Sequence, residues 1–123
     1  MFKPVGAFSG FSVDDLEKAR QFYGETLGLE VTSAGVGIDL HLPGGKVVFA
    51  YPKGPAHQPA TFTILNLEVE DVEAAVDELT GRGVKFEKYP GTYQNEKGIQ
   101  RGQGPAIAWF TDPAGNILSV IEQ

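Results

Sequence analysis

Residues 11–19 read FSVDDLEKA and residues 67–75 read LEVEDVEAA, at an offset of 56 positions in a chain of 123 residues. In both stretches apolar and polar residues alternate up to an acidic pair, after which the apolar residues follow a spacing of three and four. The first period is typical of a strand and the second of a helix. We therefore predict one domain, 1–123, built from two repeats at about 5–55 and 61–123.

Both predicted helices have start and stop signals. Asp14 is expected to cap the first helix, because a carboxylate there can accept free N–H groups of the first turn. We expect this helix to end near Leu27, before Gly28. The second helix is expected to end at Gly81 or Gly83.

Short strands separated by turn residues follow each helix, so the chain is predicted to be α+β, with two tandem βαβββ modules. The segment 90–105 is rich in Gly and Gln and is the one long irregular stretch. It is either a functional loop that folds as a lid or a disordered connector. The predicted strands are 30–33, 37–42 and 47–51 after the first helix, and 84–88, 107–111 and 117–121 after the second.

Composition limits the partners. The chain has 16 acidic and 10 basic residues and a formal charge of −6, which disfavours nucleic acid and anionic membrane surfaces. It has no Cys, which excludes disulfides and thiolate chemistry. The residues 1–6 show no pattern of a secretory leader, and no apolar run approaches a membrane span. We therefore expect a cytoplasmic protein that binds neither nucleic acid nor membrane.

Three sequence stretches carry a resemblance to a known family. They are VDDLEKARQFY at 13–23, LGLEV at 27–31 and AWFTDPAGNIL at 108–118. Together with the doubled βαβββ pattern, they resemble the vicinal-oxygen-chelate superfamily of glyoxalase I, extradiol dioxygenases and bleomycin-resistance proteins. The resemblance implies curved mixed sheets that form a cleft, helices on the outer face, and a homodimer.

The same resemblance identifies the positions at which enzymatic members hold a divalent ion. Here those positions are Phe8, Val48, Ile64 and Ser119. Divalent transition metals need several His, Asp, Glu or Cys donors, and these four residues offer none. The sequence therefore predicts no metal and no other cofactor.

Apolar and aromatic residues with a few polar groups are typical of small-molecule sites. On this pattern, and with the net charge of −6, we expect a metal-free protein that binds a partly aromatic organic molecule able to carry a positive charge, as the bleomycin-resistance branch does, with no catalytic residue. The predicted ligand-binding residues are Phe8, Asp39, His41, Val48, Tyr51, Ile64, Trp109 and Ser119.

Other interpretations stay open. Asp39 and His41 alternate on one predicted strand and share a face, so they can serve as a base and its orienting carboxylate. The chain would then be a lyase, isomerase or dioxygenase, using this pair or an unrecognised metal site. Alternatively, the apolar positions fill a closed core, and the chain is a regulatory module.

A hydrolytic triad is not expected. His57 is predicted to lie in a solvated loop, and no serine has a histidine in a suitable sequence context. The serines considered are Ser9, Ser12, Ser33 and Ser119.

Overall fold

The structure is a computed structural model that describes residues 1–123, and these divide into unit 1, Met1–Gln58, and unit 2, Pro59–Gln123. Unit 1 contains β1 (Ser9–Val13), α1 (Leu16–Gln21), β2 (Glu30–Ala34), β3 (Gly37–Leu42) and β4 (Lys46–Pro52). Unit 2 contains β5 (Thr63–Val69), α2 (Val72–Gly81), β6 (Ile107–Thr111) and β7 (Ile117–Glu122). Two mixed sheets with few helices confirm the predicted α+β class.

The two helices begin in the same way, 56 positions apart. The side chain of Asp15 accepts a hydrogen bond from the backbone N–H of Lys18, and that of Asp71 accepts one from Ala74. The predicted cap at Asp14 is therefore wrong by one residue. Asp15 is the residue with extended backbone immediately before the first helical turn, so only its carboxylate can reach the free N–H groups.

Glycines end both helices where the sequence predicts. After α1 the chain continues as a π-helical turn, Phe22–Thr26, and then reaches Gly28 at φ +77°. α2 ends at Gly81, followed by Gly83 at φ +93°. Left-handed backbone is costly for residues with a Cβ, so glycine is favoured at these two positions. Neither helix has the length and apolar character that crossing a membrane requires.

The sheet of unit 1 has the strand order β1-β4-β3-β2, with β1 parallel to β4 and the other pairs antiparallel. One face packs against the helical segment: Val13, Ile38, Leu40 and Ala50 are fully buried there, as is Tyr23 of the π turn. Because side chains alternate along a strand, the opposite face is left to the polar and aromatic residues described below.

The sheet of unit 2 has the order β5-β7-β6, with β5 parallel to β7. The predicted strand at 84–88 is wrong: this segment forms only an isolated bridge between Phe86 and Phe110. Beside this bridge the N–H of Glu87 donates to the carbonyl of Trp109, whereas the carbonyl of Glu87 accepts from the Gln94 amide instead of from a strand. The buried core residues of this unit include Val72, Val76, Ala108, Phe110, Leu118 and Val120.

The segment 90–105 is a hydrogen-bonded loop rather than a disordered connector. The Asn95 side chain accepts hydrogen bonds from the N–H groups of Lys97 and Ile99, both at 2.9 Å. Ile99 is almost completely buried. The Lys97 ammonium reaches carboxylates of α2, Glu73 at 3.1 Å and Asp77 at 2.9 Å. Side-chain bonds and one buried anchor therefore order this loop.

Candidate ligand-binding site

The sheet of unit 1 has an open face, which we define as the face opposite α1. The register of β3 and β4 pairs Asp39 with Phe49 and His41 with Val47, and all four side chains belong to this face. The prediction that Asp39 and His41 share a face is confirmed. Fully buried Leu40, between them in sequence, belongs to the face covered by the helical segment.

Three rings on the open face form an aromatic row, Phe8, Phe49 and Tyr51. Phe8 meets Phe49 edge to face, with ring centroids 6.3 Å apart. Phe49 and Tyr51 stack at 5.9 Å with an interplanar angle of 21°. Phe8 is 78% exposed, so much of the row is accessible to a ligand.

A concavity of about 410 Å³ opens on this face, lined by Phe8, Asp39, Val47 and Phe49. Its size is within the range of small-molecule sites. Three of its four lining residues are apolar, and the fourth supplies a carboxylate. Aromatic faces and a carboxylate both attract cations.

His41 is tied to the neighbouring strand. Its Nε2 atom lies 2.8 Å from the hydroxyl oxygen of Thr32. This hydrogen bond goes to Thr32 and not to Asp39, so the carboxylate does not orient the imidazole by a direct bond. The base and orienting-carboxylate pair that the sequence suggests is therefore not formed as a hydrogen-bonded unit.

The register separates Val48 from this group. Val48 pairs with Leu40, whose side chain is fully buried on the face covered by the helical segment. Val47 and Phe49, which sequence reasoning missed, occupy the open face instead. The signal was present, because Tyr51 and Val48 are an odd number of positions apart and cannot share a face of a regular strand.

Unit 2 holds the three remaining predicted residues, Ile64, Trp109 and Ser119. Trp109 and Ser119 are direct partners on β6 and β7, which confirms that they share a face. Ser119 is fully buried, and its hydroxyl donates to the side-chain oxygen of Asn66 at 2.5 Å. Ile64 lies at the register shift of β5 and is half-buried.

Trp109 has an aromatic neighbour that the sequence did not suggest. The ring of Tyr89 meets it edge to face, with centroids 5.7 Å apart. Desolvation on burial raises the pKa of the Tyr89 phenol above its ordinary value of 10.0, and the nearby Glu87 carboxylate raises it further. Tyr89 therefore stays a neutral hydroxyl throughout the physiological range.

A second concavity, of about 460 Å³, lies in unit 2 between α2 and the segments around Val84 and Glu96. Asp77 and Lys97 both line it, and they form an ion pair with each other. Two of the charged groups that line this concavity are therefore already paired with each other.

The residues at the superfamily's metal positions do not fit a divalent ion. Phe8, Val48 and Ile64 have no donor atoms, and the hydroxyl of Ser119 is bonded to Asn66. The structure also contains no group of three or more His, Cys, Asp or Glu side chains placed to hold a metal. The prediction of a metal-free protein stays a prediction.

One pair that sequence reasoning rejected is formed. The hydroxyl oxygen of Ser12 lies 2.8 Å from Nδ1 of His57, and both side chains are half-buried. His57 lies in a loop after the turn Gly54–Ala56, as predicted, but its side chain is half-buried rather than solvated, and sequence context did not indicate its contact with Ser12. The two residues are 45 positions apart, so no local sequence signal predicts their contact.

Solved structures with similar folds span nearly the whole chain. TnmS3, an antibiotic-binding protein from Streptomyces sp. CB03234, is 25% identical, with a TM-score of 0.68 and coverage of 98% of both chains. A glyoxalase/bleomycin resistance protein/dioxygenase superfamily member from Sphaerobacter thermophilus DSM 20745 is 26% identical, with a TM-score of 0.69 and coverage of 97% of this chain and 98% of that one. The oxidase ChaP-H2, at 21% identity and TM-score 0.64, covers 98% of this chain and 95% of its own and shows the fold alone.

No curated protein matches the chain significantly. The sequence profile of the Glyoxalase/Bleomycin resistance protein/Dioxygenase superfamily matches residues 7–120, almost the entire chain. This match agrees with the helix-start and closing-hairpin motifs and with the two mixed sheets. The chain therefore belongs to the Glyoxalase/Bleomycin resistance protein/Dioxygenase superfamily.

Proposed function

We propose that the protein binds, without chemical conversion, a small organic molecule that carries an aromatic ring and a positive charge. The binding place is the concavity of unit 1. The observation that carries this proposal is that Phe8, Asp39, Val47 and Phe49 line one opening, so a carboxylate stands among apolar and aromatic walls.

The chemistry of these walls favours such a ligand over a neutral or anionic one. A cation over an aromatic face gains about 0.5 to 2 kcal/mol, with the larger value where water is excluded. The Asp39 carboxylate adds a Coulombic attraction. The net charge of −6 also raises the local concentration of cations and disfavours anions.

Similarity to TnmS3, described as an antibiotic-binding protein, supports the class of activity. This similarity suggests that our chain, too, binds and holds an organic ligand. His41, Tyr51, Ile64, Trp109 and Ser119 stay predicted ligand-binding residues.

The metal-free state, the homodimer and the cytoplasmic location also stay predictions. The alternative of a superfamily enzyme acting through Asp39 and His41 stays a prediction too. No contact in the structure favours this alternative over binding.

The proposal is tested by titrating the protein with two aromatic dyes of opposite charge. Thioflavin T is a planar aromatic cation, and anilinonaphthalene sulfonate is an aromatic anion. We expect saturable binding of the cation, measured by dye fluorescence and by calorimetry, and much weaker binding of the anion. Asp39→Asn is expected to weaken binding of the cation about fivefold or more, corresponding to about 1 kcal/mol for a partly shielded charge pair.

The matched control is Glu25→Gln, which changes net charge equally but alters an exposed residue of the π turn. Its affinity for thioflavin T should equal that of the wild type. Equal affinity for the two dyes, or an Asp39→Asn variant that binds the cation as well as wild type, would contradict the proposal.

A further inference from the structure

Ser12 and His57 are held together at one end of the aromatic row. Ser12 pairs with Tyr51 in the β1–β4 register, so its side chain belongs to the open face. The two atoms that meet are the Ser12 hydroxyl oxygen and His57 Nδ1, at 2.8 Å.

Backbone hydrogen bonds fix the position of His57. The chain leaves β4 through a 3₁₀ turn, Gly54–Ala56, and the His57 N–H donates to the carbonyl of Gly54 at 3.1 Å. Lys53 N–H donates to the carbonyl of Val13 at 2.8 Å, which ties the start of this turn to β1. A short segment that is hydrogen-bonded to β1 therefore holds the imidazole next to Ser12.

This geometry is that of a nucleophile with its base. A serine hydroxyl is a weak nucleophile unless a neighbouring group takes its proton as it attacks. A neutral imidazole within about 2.6 to 3.2 Å is the usual group for this task. With the ring proton on Nε2, Nδ1 of His57 presents a lone pair to the hydroxyl, and Ser12 donates to it.

We propose that Ser12 is a nucleophile activated by His57 and that it accepts acyl groups from small activated carboxylic esters. The Ser12 oxygen forms a bond to the carbonyl carbon while its proton passes to Nδ1 of His57. The bond from that carbon to the alcohol oxygen then breaks, and the leaving alcohol carries the proton away. The acyl group remains on Ser12 as an ester.

Water completes the cycle. A water molecule attacks the acyl carbon and gives a proton to His57, and the bond to the Ser12 oxygen breaks. The carboxylic acid leaves, and the proton returns to Ser12. The sum of the two steps is hydrolysis of one ester by one water molecule, with the side chains restored.

Ser12 is half-buried and pairs with Tyr51 in the β1–β4 register, on the open face of unit 1. Gly10, two residues earlier on the same face, has no side chain. This activity does not depend on the binding proposed for the concavity, because neither Ser12 nor His57 lines it.

The test is acetylation by p-nitrophenyl acetate, followed by acid quenching and peptide mapping by mass spectrometry. We expect an acetyl group on Ser12 of the native wild type and none at position 12 of Ser12→Ala. His57→Gln is expected to slow acetylation of Ser12 about 100-fold or more, the usual effect of losing a general base. Ser33→Ala removes an exposed serine of β2 and should leave the rate unchanged.

Fragment-ion spectra separate this reaction from acetylation of amines, because they assign the acetyl group to one residue even where Lys3 or Lys18 shares a peptide with Ser12. Absence of acetyl at Ser12 in the native wild type would overturn the proposal, as would a wild-type rate in a folded His57→Gln variant. If circular dichroism shows that His57→Gln is unfolded, His57→Asn takes its place with the same expected result and the same contrary one.

Discussion

The aromatic ring of Phe49 lies over Gly37 on the neighbouring strand. A Cβ atom at position 37 would stand 2.9 Å from two carbons of this ring and 2.2 Å from the carbonyl oxygen of Ala50. Glycine at this position therefore allows the Phe49 ring and the Ala50 carbonyl to approach β3 this closely. The position of the middle ring of the aromatic row depends on this contact.

Gly37→Ala should destabilise the fold and disturb the site together. Overpacking of this kind costs typically about 1 to 3 kcal/mol of unfolding free energy, because the ring and the strand must both move. Urea unfolding measures this loss, and thioflavin T titration should show weaker binding. Gly81→Ala is the control, since a Cβ there meets nothing within 4 Å; an equal loss in both variants would show that the Phe49 contact is not the cause.

Phe49→Leu should weaken binding of thioflavin T more than it weakens the fold. The change keeps an apolar side chain but removes the ring contacts with Phe8 and Tyr51. Aromatic pairs contribute about 0.5 to 1.5 kcal/mol beyond burial, so affinity should fall about two- to tenfold in calorimetry. Phe22→Leu, which loses a ring contact with Tyr23 on the helix side, should bind the dye normally. If Phe49→Leu binds thioflavin T as well as the wild type does, the Phe49 ring is not part of the binding site.

Gln94→Ala should loosen the loop 90–105. The Gln94 amide accepts from Tyr89 N–H and from the Thr92 hydroxyl, both at 2.7 Å, and donates to the carbonyls of Glu87 and Gly98 at 2.9 and 2.8 Å. Since one hydrogen bond contributes about 1 kcal/mol, exchange of the Tyr89 amide hydrogen should speed up about fivefold or more.

Hydrogen exchange followed by mass spectrometry measures this change. Gln103→Ala, an exposed glutamine of the same loop, should leave the exchange rates as they are in the wild type. Unchanged exchange in Gln94→Ala would show that other contacts order the loop.

Lys97→Gln should lower the melting temperature in a pH-dependent way. Hydrogen bonds to Asp77 and Glu73 raise the pKa of Lys97 above its ordinary value of 10.5. A raised pKa means that the folded protein holds this proton more tightly, so the contribution is complete below pH 10.5 and is lost as pH rises through the raised value.

The difference in melting temperature between wild type and Lys97→Gln should therefore be constant from neutral pH up to about pH 10.5. Above that pH the difference should shrink to zero. Added salt should narrow it, because the groups are partly exposed. Lys85→Gln, which removes an exposed lysine that is in no ion pair, should show no such gap. A gap that persists at high pH would mean that charge is not its source.

Local chemistry explains why much of the fold could be predicted. The alternation of side chains gives correct strands at 37–42 and 107–111, because this signal acts between near neighbours. The prediction of a strand at 84–88 failed for a different reason. Its residues look like a strand, but the Gln94 amide, which comes later in the chain, donates to the Glu87 carbonyl that a ladder would use.

The candidate site could be predicted only in part. Asp39 and His41 were placed on one face by strand alternation, and the register confirms this placement. Val48 was assigned to the same face by resemblance alone, and a single-residue error moves a side chain to the other side of a sheet. Phe49, the centre of the aromatic row, was missed for that reason.

The sequence by itself determined the helix starts to within one residue and the alternation of most strands, because each depends on residues a few positions apart. Only the tertiary structure decided which strands are neighbours, and hence that Phe49 lies over Gly37 and that Ser12 meets His57. These contacts join residues that the chain separates by 12 and 45 positions. Their formation depends on the packing of whole strands and turns, which no local pattern of side chains encodes.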